Sequence, residues 1–136
     1  MDRELFEAAR KVRERAHAPY SGFPVGAALR TLSGTVHAGC NVENAAYPEG
    51  WCAETSAIAG MIAAASDPDD RRIAAICVVA DRIDGELTTP CGGCRQRIAE
   101  FAGPEAAIHV AVPDGEERTF RLGDLLPAAF GKERPS

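Results

Sequence analysis

Apolar positions recur along this chain in two rhythms, and the change of rhythm marks its elements. Over residues 2–18, Leu5, Phe6, Ala9, Val12 and Ala16 fall mostly three or four apart. That spacing predicts an amphipathic helix with one buried face, and Pro19 cannot continue it. Residues 25–32 read as a buried strand, Ser33-Gly34 as a turn and residues 35–42 as a returning strand, so the pair predicts a hairpin. A loop rich in Asn, Pro and Gly follows over 44–50. The segment 52–65 carries Ala57, Ile58, Met61, Ile62, Ala63 and Ala64, a helix apolar on most sides and therefore expected to be buried. Asp67-Pro68-Asp69-Asp70 ends it. Residues 73–80 form an unbroken apolar run, the mark of a central strand covered on both faces. After an Asp84-Gly85 turn and Thr88-Thr89-Pro90, a third helix is expected over 91–101 and a strand over 106–112. Pro113-Asp114-Gly115 makes a turn before a short strand over 118–122, and a short terminal helix is expected over 125–130, limited by Pro127.

Helices alternating with apolar strands imply a layered α/β domain, and the starting hairpin makes its sheet mixed rather than purely parallel. The length of 136 residues suits one domain, here taken as residues 1–136. A hydrophobic share of 46% and a charged share of 26% are ordinary globular values and exclude disorder. No apolar run reaches the ~20 residues of a membrane span, and the first fifteen residues lack the apolar stretch of a signal peptide. A net charge of −5 argues against sequence-independent nucleic-acid binding, because a negative surface repels phosphate. Five cysteines without an export signal read as reduced, cytoplasmic thiols available for metal binding or catalysis.

The candidate chemistry lies in Cys52-Ala53-Glu54 and Pro90-Cys91-Gly92-Gly93-Cys94. A Cys-x-x-Cys pair at a helix start can place two thiolates on one zinc ion, and Cys52 supplies a third. Three protein ligands leave one tetrahedral position for water, the mark of a catalytic rather than a structural zinc. Glu54, two residues beyond Cys52, points to another helical face and need not be a ligand. It is placed to accept a proton from the activated water, an arrangement known in zinc deaminases. Taken alone, Cys-x-x-Cys equally fits a redox pair or half of a structural site. A closed site needs a fourth ligand, for which Cys40, Cys77, His17, His37 and His109 are the candidates. Cys77 sits in a core strand and reads better as an inert buried thiol.

The sequence resembles the small, homotetrameric, zinc-dependent cytidine deaminases. The resemblance rests on residues 19–28 (PYSGFPVGAA), 39–47 (GCNVENAAY), Cys52-Ala53-Glu54 and 90–96 (PCGGCRQ) in this order and spacing, with a weaker Leu125-Leu126-Pro127. It implies a three-layer α/β/α sandwich with a mixed sheet of about five strands. It implies one Zn2+ per subunit on Cys52, Cys91 and Cys94, and Glu54 as the proton shuttle. It places Phe23 against the pyrimidine, Asn41 and Glu43 on the ribose hydroxyls, the amide of Ala53 near the base carbonyl and the carbonyl of Thr89 near the departing amine. Ala46, Tyr47 and Phe130 match positions that reach a neighbouring subunit's site. The implied reaction is hydrolytic deamination of cytidine and 2′-deoxycytidine in pyrimidine salvage, in a homotetramer with shared sites, without membrane or nucleic-acid partners. Two alternatives stay open on the residues themselves. One is a deaminase of another aminated heterocycle, such as a blasticidin-type or modified cytosine nucleoside. The other is a non-enzymatic zinc-stabilised interaction module. One position departs from the common pattern: Thr55 stands after the catalytic Glu, where many relatives have Arg. Three thiolates on a dication leave a net −1, and the two helix N-termini at Cys52 and Cys91 are expected to balance it.

Overall fold

A computed structural model describes residues 1–131. Its core is one five-stranded sheet in the order β2-β1-β3-β4-β5, formed by β1 (Gly26–Thr31), β2 (Val36–Cys40), β3 (Ile73–Val79), β4 (Ala107–Ala111) and β5 (Glu117–Arg121). The apolar run of β3 takes the central position, as its lack of alternation predicts. β3 and β4 pair in parallel, with Ala75 opposite Ala107 and Val79 opposite Ala111, and the remaining neighbours are antiparallel. The sheet is therefore mixed.

Among the described residues four α-helices accompany the sheet: α1 (Arg3–Arg13), α2 (Ala53–Ala64), α3 (Gly92–Phe101) and the single turn α4 (Leu122–Leu125). Alternation along the strands divides the core in two. Ala28, Cys77, Val79 and Ala111 face α1, which contributes Leu5, Phe6 and Ala9. Leu29, Ile76, Ile108 and Val110 face Ala57, Ile58 and Met61 of α2 together with Ile98 and Ala99 of α3. The result is the expected three-layer α/β/α sandwich. Each fully buried Leu, Ile or Met in these layers contributes about 1.5–3 kcal/mol.

Helix α1 begins where Asp2 caps it, its carboxylate accepting from the Leu5 amide at 3.2 Å, and Arg10, Lys11 and Arg13 complement the negative pole of its last turn. It stops five residues short of the boundary expected from spacing. Beyond Glu14 the chain leaves the helix so that the His17 amide donates to Asn41 O at 3.0 Å and its carbonyl accepts from the Glu43 amide at 2.8 Å. Arg13 secures this exit by donating to Pro24 O at 3.1 Å and pairing with Asp81 at 3.1 Å. The terminal helix also differs from expectation. It starts at Leu122, whose buried side chain joins the α2/α3 core, and it ends before Pro127. The Asp84-Gly85 turn forms as read, both residues having positive φ (51° and 81°) between the bridged Ile83 and Glu86. Among the described residues no helix is long and apolar enough to cross a membrane.

Candidate metal centre and its pocket

Two helix starts converge to make the site. Cys52 is the N-cap of α2 and Cys91 the N-cap of α3, both with extended backbone, and Cys94 lies in the first turn of α3. Cys91 Sγ accepts from the Cys94 amide at 3.4 Å, so the Cys-x-x-Cys spacing doubles as the cap. The three sulfurs all lie within 4.8 Å of one another. Zn–S bonds of about 2.3 Å in a tetrahedron need sulfurs about 3.8 Å apart, so small side-chain movements complete the cradle. Soft thiolate donors at two positive helix ends suit zinc, because the amide dipoles stabilise the charge on sulfur. Among the described residues no further His, Cys, Asp or Glu joins the trio. The candidates for a closing ligand, Cys40, Cys77, His17, His37 and His109, stand outside it. Cys77 is fully buried in β3, and burial pushes its thiol up to about 12.

The Cys94 thiol donates toward Cys52, which holds Cys52 below its ordinary value and Cys94 above its own. Cys94 also receives two contacts from side chains: Thr55 Oγ1 lies 3.9 Å and Arg97 Nη1 3.8 Å from its sulfur.

Glu54 occupies the first turn of α2 and is only 4% exposed, one of the few charged side chains buried in the core. Burial raises its carboxyl above the usual carboxylate range, partly opposed by its own amide, the Cys94 thiol and the Arg97 charge. A carboxyl raised in this way and set beside the sulfur trio suits a general acid–base.

A cavity of about 370 Å³ opens beside this group, within the size range of small-molecule sites. Of the residues singled out by sequence, Asn41, Glu43, Cys52, Ala53, Glu54, Thr89 and Cys91 line it. Phe23 is not among the lining residues; its carbonyl accepts from Asn41 Nδ2 at 3.0 Å while Asn41 Oδ1 accepts from the Val25 amide at 2.9 Å. Asn41 thus pins the strand entry with one hydrogen and one lone pair and keeps the others free. The Glu43 carboxylate accepts from the Tyr20 amide at 2.9 Å, the Ser21 amide at 3.1 Å and the Ser21 hydroxyl. The Ser21 hydroxyl and these amides hold Glu43 below its ordinary value, so it remains an anion. Tyr47 lines a neighbouring hollow with Tyr20, Ser21, Glu43 and Asn44, its ring 5.8 Å from that of Tyr20. Ala46 and Phe130 are exposed surface residues, Phe130 at 84%.

The wall also contains residues that sequence reasoning missed. Trp51, the only tryptophan, stands half-exposed at the cavity, bridged to Val42 by paired backbone hydrogen bonds of 2.8 and 2.9 Å. Its place directly before Cys52 was the available signal. Ile83 and Thr88 come from the loop after β3 and have no motif. Arg95 holds that loop by donating to Pro90 O at 2.7 Å, Thr89 Oγ1 at 2.9 Å and Leu125 O at 2.8 Å.

A three-sulfur cradle at two helix ends, a buried carboxyl beside it and a cavity against both define a hydrolytic metal centre on an α/β/α sandwich. Comparison with known proteins makes this specific. A profile of the family described as "Cytidine and deoxycytidylate deaminase zinc-binding region" matches residues 1–110. A cytidine deaminase of Sporosarcina psychrophila is 44% identical over 130 residues, covering 96% of this chain and 91% of its own. The crystal structure of cytidine deaminase from Burkholderia pseudomallei superposes with a TM-score of 0.86 at 44% identity, covering 96% of this chain and 99% of that one. The crystal structure of the Mycobacterium tuberculosis cytidine deaminase does so with a TM-score of 0.80 at 36% identity, covering 97% and 99%. The chain belongs to the cytidine and deoxycytidylate deaminase family.

Proposed function

We propose that this chain is a catalytic domain, spanning residues 1–136, that hydrolyses the exocyclic amine of cytidine and 2′-deoxycytidine to give uridine and 2′-deoxyuridine with ammonia. The observation that carries this reading is Glu54: an acidic side chain buried at 4% exposure, on the helix whose cap is Cys52, with its carboxyl raised by burial. A structural zinc module has no use for such a group and pays for its desolvation without return.

Cys52, Cys91 and Cys94 would hold the zinc, which supplies Lewis acidity and makes a water acidic enough to lose a proton near neutral pH. Glu54 accepts that proton and delivers it to N3 of the pyrimidine as the water oxygen bonds to C4. It then takes the second proton, from the new C4 hydroxyl, and passes it to the amine. The C4–N bond breaks and ammonia departs, so one water is consumed and both protons travel through one carboxyl. The amide of Ala53 faces the base carbonyl, and Thr89 O accepts from the amine. Phe23 packs against the ring. Asn41 and Glu43 receive the ribose hydroxyls, and the anionic state of Glu43 strengthens that contact. Ala46, Tyr47 and Phe130 act on a neighbouring subunit of a homotetramer; their exposure here suits that role. The setting is cytoplasmic pyrimidine salvage.

An ultraviolet assay of cytidine loss, with zinc quantified on the same preparation, tests the reading. Glu54→Gln is expected to keep the metal and lower turnover by at least ~10²–10⁴, the usual share of general acid–base catalysis. Full turnover in that variant, or full turnover in metal-stripped protein, overturns it.

A further inference from the structure

We propose that Arg97 is a positioning residue of the metal centre: its guanidinium, reaching back along α3, braces the Cys94 sulfur and offsets the excess negative charge of the sulfur trio. The inference rests on the reading of Cys52, Cys91 and Cys94 as zinc ligands. Three thiolates around a dication leave one uncompensated negative charge, and Cys94 is the fully buried member of the set. A buried sulfur cannot disperse charge into water and needs donors from the protein. The structure provides two, from different helices: Thr55 Oγ1 at 3.9 Å and Arg97 Nη1 at 3.8 Å. Only the second brings a full charge.

Three further observations support the assignment. Arg97 stands three residues after Cys94 on the same helix, a spacing that puts the two side chains on one face without any loop having to order. Among the described residues Arg97 forms no ion pair with a carboxylate, although its charge also reaches Glu54. Finally, a Cβ at Gly93 would sit 3.3 Å from Arg97 Nη1 and 3.9 Å from Cys91 Sγ. The glycine keeps clear the lane along which the guanidinium reaches the cradle. Neutral sulfur is a weak acceptor and thiolate a strong one, so the contact gains strength when the metal is held.

The test uses the zinc-loaded protein and its cobalt-substituted form. Zinc affinity is measured by competition with a chromophoric chelator, and the thiolate-to-cobalt charge-transfer bands are recorded in parallel. Arg97→Ala, at an exposed position where Ala is a good helix former, is expected to weaken zinc binding ~10–100-fold, the usual effect of losing a partner to a metal ligand, and to shift the cobalt bands. Arg97→Lys should retain most of the affinity, because it keeps the charge. Adding Thr55→Arg to Arg97→Ala should restore binding, because that side chain starts beside the same sulfur. Wild-type affinity and an unchanged cobalt spectrum in Arg97→Ala overturn the proposal. So does a loss in Arg97→Lys equal to that in Arg97→Ala. Wild-type protein that takes up no zinc refutes the metal reading itself, whereas wild-type protein that holds zinc beside an equally tight Arg97→Ala refutes only the role of Arg97.

Discussion

Replacing Gly39 by Ala isolates the contact on which the metal centre leans. Gly39 lies in β2 directly beneath α2, and an added Cβ would meet Ala57 N at 2.5 Å, Ser56 Cβ at 2.7 Å and Ser56 C at 2.8 Å. Ordinary contacts are about 3.5–4.0 Å, so helix and strand must part by about 1 Å. The obstruction is backbone and cannot rotate away. Overpacking of this kind destabilises by about 1–3 kcal/mol. For a chain of this size that lowers Tm by about 3–15 °C. The displaced turn is one helical turn from Glu54, and a 1 Å misplacement in an active site costs about 10²-fold in rate. Gly60 supplies the control on the same helix. Nothing lies within 4 Å of a Cβ there, so Gly60→Ala should stabilise by about 0.8–1 kcal/mol through helix propensity alone and leave turnover unchanged. Both variants are compared by thermal melting and by the ultraviolet assay. A Gly39→Ala protein with wild-type Tm and turnover refutes the close approach; a Gly60→Ala protein as damaged as Gly39→Ala refutes the attribution to that contact.

Asp70 is held at about 2, down from 3.8, first by the Ser33 hydroxyl and then by the amides of Asp67 and Ser66. Because the folded value is the lower one, its stabilisation is present above about 3.8 and fades as pH falls toward about 2. In urea titrations the deficit of Asp70→Asn should therefore be largest near pH 6 and shrink at pH 3; a deficit independent of pH counts against the assignment. Cys77, with its thiol raised to about 12 by burial, should escape iodoacetamide in the native protein and react only after unfolding, as read by peptide mass mapping; native labelling would contradict its packing. Arg95→Met removes three hydrogen bonds that hold Thr89, Pro90 and Leu125 and should cost about 2–4 kcal/mol while raising KM for cytidine, checked by denaturation and initial rates. Unaltered stability would mean the loop is held otherwise.

Much of this site was legible because its chemistry is local. Cys52 and Glu54, and Cys91 and Cys94, each occupy one helix start, and the same spacing that makes a ligand pair also makes a cap. The apolar run of β3 likewise announced its central place. What escaped was set by distant partners. Val12 and Ala16 continue the helical spacing of α1, yet the chain departs at Glu14 because His17 pairs with Asn41 and Glu43. The last helix forms at Leu122 rather than Leu125 because Leu122 finds a slot in the α2/α3 core. Ile83 and Thr88 reach the pocket only through the fold of the loop after β3. Arg97 follows the familiar run of residues 90–96 and carries no signal of its own until its guanidinium is seen against Cys94.

The lone indole at the mouth of the cavity gives this molecule a built-in optical reporter. With one tryptophan in 136 residues, and that one on the pocket wall, emission comes from a single known address. A nucleoside entering the cavity changes the solvent around that ring, so occupancy can be followed in unlabelled protein, in real time and separately from product formation.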